Sequence, residues 1–180
     1  PLNVHSRHLL WHGHDLGQLD CAVARTAKGL RLNQCSLTSE LQRTDVEGEW
    51  ERADGKDFSR LGGKMKINDL GKLLEQLGLG DEVADTPARL KFALQWPDAP
   101  QRLAVERLNG DLAVYLSQGS LRHVEPGVGR ALGLFNIETL KRRLLLDFSD
   151  VFEEGLSYDK VRGTFKIIDG VAVTHNLFID

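Results

Sequence analysis

No apolar run in this chain approaches the ~18–20 residues that a membrane-spanning helix needs, so nothing in it reads as a transmembrane helix. An excess of basic charge is also missing. Its 23 Lys and Arg residues stand against 26 Asp and Glu, a net charge of −3, which argues against the clustered cationic footprint of a nucleic-acid-binding protein. There is no initiator Met and no signal peptide, and the expectation is a piece of a longer protein whose targeting elements lie elsewhere. Cysteine is limited to Cys21 and Cys35. At 180 residues the length suits one domain or a slice of a repetitive one, able to bury about 70% of its unfolded surface.

Catalytic signatures are scarce too. His5, His8, His12 and His14 invite a metal site, and His8, His12 and His14 would share one face of an extended strand. No cysteine or carboxylate lies within that cluster, however, and metal-ligand spacing is normally tied to a turn or helix. The reading is no metal. Asp147, Asp150, Glu153, Glu154 and Asp159 would offer paired carboxylates for glycoside hydrolysis, but their pattern fits a solvated loop. The glycines at Gly127, Gly129 and Gly133 lack the Lys-Ser/Thr of a phosphate loop, and no serine sits in a nucleophile elbow. The chain is therefore read as non-enzymatic, with no catalytic residue and no cofactor.

What the sequence does contain is one-sided alternation. Side chains two residues apart share a face of a strand, and apolar residues recur at that period along most of the chain. Leu144, Leu146 and Phe148 fall together, as do Val161, Gly163, Phe165 and Ile167, which alternate with charged neighbours. Ala88, Leu90, Phe92, Leu94 and Trp96 do the same, as do Val46, Gly48 and Trp50. After Asp169-Gly170, a three-residue loop over residues 168–170 would pair Ile167 with Val171 and Phe165 with Val173. Val171, Val173, Leu177 and Ile179 would then join the apolar face. Asn109-Gly110 reads as a two-residue hairpin pairing Val105 with Val114 and Leu103 with Leu116.

The period changes in two places. Leu70, Leu73, Leu74 and Leu77 stand at helical spacing after Asp69, a fair N-cap, giving a short helical insert near 69–79. A second helical insert is expected near 128–141. The sum is a mainly β fold: an antiparallel sheet of about ten strands with two or three short helices. Cys21 and Cys35 form a candidate disulfide whose geometry depends on the turn near Gly29. A three-residue loop places them opposite each other, whereas a two-residue loop offsets them onto opposite faces. The even positions Leu30 and Leu32 favour another phase, so a bulge near Asn33 is a further option.

The run VEPGVGRALGLFNIETLKRRLLLDFSDVFEEGLSYDKVRGTFKIIDGVAVT, from Val124 to Thr174, closely resembles the C-terminal part of AsmA-like proteins of Gram-negative bacteria, of the YhdP type. The likeness continues more loosely through LLWHGHDLGQL, VEGEW, INDLGKLLEQLG and ALQWPDAPQRLAVERLNGDL, and so covers nearly the whole chain. The resemblance implies a periplasmic region of an inner-membrane-anchored, bridge-like lipid-transfer protein. Its curved β-groove would carry phospholipid acyl chains on an apolar face, and a membrane surface or envelope proteins would be further partners. It brings no catalytic residues with it. Pattern alone favours a closed sandwich; the resemblance favours the open groove. The lining it implies comprises Leu90, Phe92, Leu94, Leu112, Val114, Leu116, Leu144, Leu146, Phe148, Phe165, Ile167, Val171, Val173, Leu177 and Ile179.

Overall fold

A ten-stranded antiparallel sheet forms the body of the molecule. The computed structural model describes residues 2–11, 13–78, 81, 83–121 and 156–180. The strands are β1 (Leu2–Ser6), β2 (Leu10–Trp11), β3 (His14–Asp15), β4 (Gln18–Arg25), β5 (Gly29–Thr38), β6 (Gln42–Ala53) and β7 (Lys56–Ile67). After the helix α1 (Leu70–Gln76) come β8 (Val83–Ala84), β9 (Ala88–Trp96), β10 (Asn109–Leu116) and β11 (Gly119–Leu121). The last are β12 (Leu156–Tyr158), β13 (Val161–Ile168), β14 (Val171–Thr174) and β15 (Phe178–Ile179). In the main sheet β1, β4, β5, β6, β7, β9, β10, β13 and β14 follow one another in space, and β15 also pairs with β13. Among the described residues the path has two ends, so the sheet they form is open and not a barrel. The expected fold class is what the structure shows.

The chain meanders and makes two excursions from the same end of the sheet. One leaves β7 at Ile67 and returns at Ala88; the other leaves β10 at Leu116 and returns at Val161. The first contains α1. Asp69 caps it as expected, its carboxylate accepting the Lys72 N–H at 3.2 Å. Leu73 turns down onto Ile67 and Ala88, with Leu70, Leu77, Met65, Leu90 and Leu116 around them. The two excursions are joined by a small sheet in the order β12, β11, β8. Fully buried Thr86 locks it: its hydroxyl donates to the Ala84 carbonyl at 2.8 Å and lies 2.8 Å from the hydroxyl of Tyr158. Burial holds the Tyr158 phenol above its ordinary pKa, partly offset by the Thr86 bond.

Two sequence expectations are corrected. Asn109-Gly110 does not turn a hairpin. Asn109–Leu116 pairs with β9, setting Leu112 opposite Phe92 and Val114 opposite Leu90. The long alternating run of β9 is the better partner, and residues 100–107 curl instead into two 3₁₀ turns. That curl buries Leu108 against Trp96 and lets Arg107 reach Asp98 at 2.7 Å, leaving Leu103 53% exposed.

The second correction concerns the last hairpin. Its loop has two residues, with Asp169 (φ 48°) and Gly170 (φ 77°) both left-handed, as a type I′ turn requires. Asn109 accepts the Asp169 N–H at 3.1 Å and the Leu108 carbonyl accepts the Gly170 N–H at 2.8 Å, which fixes the turn. Ile167 therefore faces Ala172 and Phe165 faces Thr174, while Val171 and Val173 project from the opposite, polar face. Small Ala172 fits beneath Trp96 and Leu108.

Beyond it, Asn176 interrupts the ladder by accepting the Thr164 N–H at 2.9 Å with its side chain. The phase shifts there, and Ile179 pairs with Val161 on the apolar side. One α-helix and two 3₁₀ turns are present among the described residues. The helical insert expected near 128–141 lies outside them.

Candidate functional site: the apolar face of the sheet

Antiparallel partners directly opposite each other share a face, so the register can be followed across the whole sheet. One row runs Val4, Cys21, Cys35, Val46, Gly63, Phe92, Leu112, Phe165, Thr174. A neighbouring row runs Leu2, Val23, Leu32, Gly48, Leu61, Leu94, Gly110, Ile167, Ala172. On the other side lie Ser6, Leu19, Leu37, Thr44, Met65, Leu90, Val114 and Gly163. None of these rows contains a charged residue. At ~4.8 Å per strand a nine-strand row is about 38 Å long, longer than the ~30 Å hydrocarbon core of a bilayer.

Among the described residues, two pieces of chain cover the margins of this face. Over the Ile67 and Ala88 end lies α1. Over the opposite end folds the 97–108 segment, held by the Ser59 hydroxyl donating to the Asp98 carbonyl at 2.7 Å and the Trp96 indole donating to the Ala99 carbonyl at 3.3 Å. Leu108 joins Trp96, Phe165, Ile167 and Ala172 there. Between the margins, Leu90, Phe92, Leu94, Leu112 and Val114 are only half-buried, and Leu2 and Val4 at the β1 edge are exposed.

Cys21 and Cys35 are bonded, with Cα atoms 4.0 Å apart, and they sit in the central row. Neither simple turn register produces this. Near the turn the strands follow the two-residue phase, with Arg25 opposite Leu30 and Ala22 opposite Asn33. A bulge then inserts Gln34 (φ 49°), and by Ser36 the pairing has shifted by one. The extra residue carries Cys35 round to face Cys21.

Of the residues expected to line the face, Leu90, Phe92, Leu94, Leu112, Val114, Leu116, Phe165 and Ile167 are brought together, with Leu177 and Ile179 at the edge. Val171 and Val173 are on the other side. Leu144, Leu146 and Phe148 lie outside the described residues, as do His12, Gly127, Gly129, Gly133, Asp147, Asp150, Glu153 and Glu154. The expected lining lacks the third of the face built by β1, β4 and β5, and also Val46, Leu61 and Met65. Alternation at Val46, Gly48 and Trp50, and at Met65 and Ile67 between Lys64 and Lys66, is the signal that points to this part of the face.

The opposite face is polar. A depression of about 560 Å³ opens on it, floored by Gly62 and Ala93 and walled by Arg31, Glu49, Arg60, Gln95, Asp111 and Lys166. Its charges are mostly answered locally: Arg31 meets Glu49 at 2.9 Å, Lys166 meets Asp111 at 3.0 Å, and Arg60 lies 5.1 Å from the Phe58 ring centre. The N-terminal histidines form separate pairs. His5 is hydrogen-bonded to Asp20 at 2.6 Å and His8 to Asp15 at 2.7 Å. These bonds hold both carboxyls below their ordinary pKa. Among the described residues no three His, Cys, Asp or Glu side chains converge on a metal position, and no helix is long and apolar enough to cross a membrane.

The model of the YhdP protein family matches residues 1–180, the whole chain. The chain belongs to the YhdP family. It is 27% identical over 169 residues to the intermembrane phospholipid transporter YhdP of Escherichia coli (strain K12), an alignment covering 93% of this chain and 13% of that protein. The chain thus corresponds to a small part of that relative's length. No solved structure matches it. What this YhdP-family chain adds to the match is the placement of its side chains: a sheet with three adjacent uncharged rows on one face and a strongly charged opposite face.

Proposed function

We propose that this chain is a non-enzymatic segment of a conduit that carries phospholipid across the cell envelope, with acyl chains lying along the uncharged rows. It would be part of the periplasmic region of an inner-membrane-anchored protein joining the inner and outer membranes. The observation that carries the reading is the run of three adjacent rows without a charge, crossing the sheet from one open edge to the other. An apolar surface of that extent aggregates unless something covers it, and among the described residues α1 and the 97–108 segment cover only its margins. Each methylene laid on such a wall gains about 0.8 kcal/mol. The wall changes little from strand to strand, so the gain is similar along its length, which suits sliding better than tight capture at one point. The relative's name, an intermembrane phospholipid transporter, supports phospholipid as the cargo.

Native mass spectrometry of the chain purified from a bacterial envelope tests this. Bound phospholipid, displaced by added detergent, is the expected result. A lipid-free, well-folded monomer whose melting temperature is indifferent to added phospholipid would point instead to a module that docks an envelope protein.

A further inference from the structure

The charged face is sorted by sign. At the end of the sheet from which both excursions leave, Arg43, Lys66, Arg89, Tyr115 and Arg162 lie opposite one another on β6, β7, β9, β10 and β13. Lys64 and Lys91 are neighbours in the next row, beside Asp45. On β6, β7, β9, β10 and β13 six cations therefore share two rows with one carboxylate, in a chain whose net charge is −3. Asp45 is occupied by Arg43 at 2.9 Å. Lys64, Lys66, Arg89, Lys91 and Arg162 are all exposed and make no ion pair among the described residues. The arginines are steadied by aromatic rings instead: Arg89 lies 5.7 Å from the Tyr115 ring centre and Arg162 lies 4.7 Å from that of Phe178. The acidic residues of β6, Glu47, Glu49 and Glu51, come further along the strand, toward the Asp54-Gly55 turn.

Like charges on directly opposed residues repel and destabilise a sheet. Here Arg43, Lys66 and Arg89 are stacked on three adjacent strands with no intervening acid. Such a row is stabilised by an anionic partner, and it runs about 19 Å from β6 to β13 at the usual strand spacing. Phe178, 44% exposed at its end, adds an aromatic ring of the kind that settles at headgroup level.

We propose that this basic end of the charged face docks on an anionic phospholipid bilayer, the arginines and lysines meeting lipid phosphates while the opposite face of the same sheet holds acyl chains. The choice of a bilayer over an acidic polypeptide rests on the phospholipid reading above. Docking and cargo use opposite faces, so the two can be tested apart.

Flotation of the intact chain with vesicles is the test, using phosphatidylcholine alone or phosphatidylcholine with phosphatidylglycerol. Each basic residue near an anionic surface is worth roughly fivefold in partitioning. The chain should float with the anionic vesicles, and Lys66→Glu with Arg89→Glu should reduce that at least tenfold. Lys56→Glu with Lys28→Glu, the same charge change at exposed hairpin turns away from the patch, should reduce it far less. High salt should release the wild-type chain. Circular dichroism establishes that both double variants fold, and Lys66→Gln with Arg89→Gln gives a milder version of the same test. Equal binding to both vesicle types, or equal losses from patch and control variants, would overturn the proposal. Capture by polyglutamate without vesicle binding would overturn it too and assign the row to an acidic protein. Loss of bound phospholipid in native spectra with vesicle docking intact would sink the cargo reading alone.

Discussion

Phe92 lays its ring over Gly63, the residue directly opposite it on the next strand. A Cβ built on Gly63 would stand 2.7 Å from the ring's Cζ and 2.6 Å from the Asp45 carbonyl oxygen. The glycine leaves the gap that the aromatic fills in the central uncharged row, so the ring lies along the sheet rather than standing off it. Gly63→Ala should therefore force ring and backbone apart and cost about 1–3 kcal/mol, the usual range for overpacking. Gly62→Ala, one residue earlier on the polar face, meets nothing closer than 3.8 Å and should be neutral or slightly stabilising. Thermal melts of the two variants check this. Equal melting temperatures would mean the Phe92 ring moves aside at no cost.

The cargo reading makes its own demand on this ring. Phe92→Asp and Phe165→Asp place a carboxylate where acyl chains are to lie, and a charge facing hydrocarbon is costly unless paired. Both should lower the phospholipid bound per chain. Lys166→Asp, on the charged face beside Asp111, puts like charges opposite each other and costs a few tenths of a kcal/mol, yet should leave lipid occupancy alone. Native mass spectrometry reads all three. Equal loss from all three would remove the reason to assign acyl chains to this face.

How far the sequence could be read depended on how local each decision was. The helix at Leu70–Gln76 was legible because leucine spacing and the Asp69 cap agree within one short stretch. Alternation in β9 and β13 gave the apolar face directly, because each strand carries its own period. Register was harder. Asn109-Gly110 carries a hairpin signature, yet β10 takes its partner from β9, with the whole 97–108 segment between them. The turn at Asp169-Gly170 is set by Asn109 and Leu108, some sixty residues earlier, and no local pattern reports that contact. The bulge that joins the cysteines falls beside Asn33, where the phase of Leu30 and Leu32 offered one, but its left-handed residue is Gln34, a residue type that does not mark that conformation.

That bulge gives the disulfide a structural task. The Cys21–Cys35 bond closes a loop of 14 residues by sequence separation, for which loop entropy predicts about 3 kcal/mol. In a domain of this length that corresponds to a fall of roughly 6–12 °C in melting temperature on reduction. The change should concentrate in the β4–β5 hairpin, where one residue of slip moves every side chain to the other face. Hydrogen exchange with and without reductant should show protection lost there first. Uniform loss across the sheet would mean that the bond stabilises the molecule without holding this register.

The cap of α1 is where pH should act on the wall of the apolar face. Partial burial of Asp69 raises its carboxyl pKa, but the Lys72 N–H, the Lys72 ammonium at 3.1 Å and the Gly71 N–H outweigh that and lower it overall. A carboxyl whose folded pKa lies below its unfolded value contributes stability that is present above the unfolded value and is lost as pH falls through the folded one. Near neutral pH, Asp69→Ala should cost about 1 kcal/mol, the usual worth of an N-cap, or roughly 2–4 °C in melting temperature. Asp69→Asn keeps a capping oxygen and should stay within a few tenths of a kcal/mol of wild type. Below the depressed titration of Asp69 the wild-type cap is protonated, so its gap to Asp69→Ala should narrow. Since Leu73 on this helix packs on Ile67 and Ala88, the same acid range should loosen that margin of the face. Melts of the three proteins at neutral and strongly acidic pH decide it: a gap between wild type and Asp69→Ala that stays constant with pH would show that the ionised carboxylate is not what holds α1 in place.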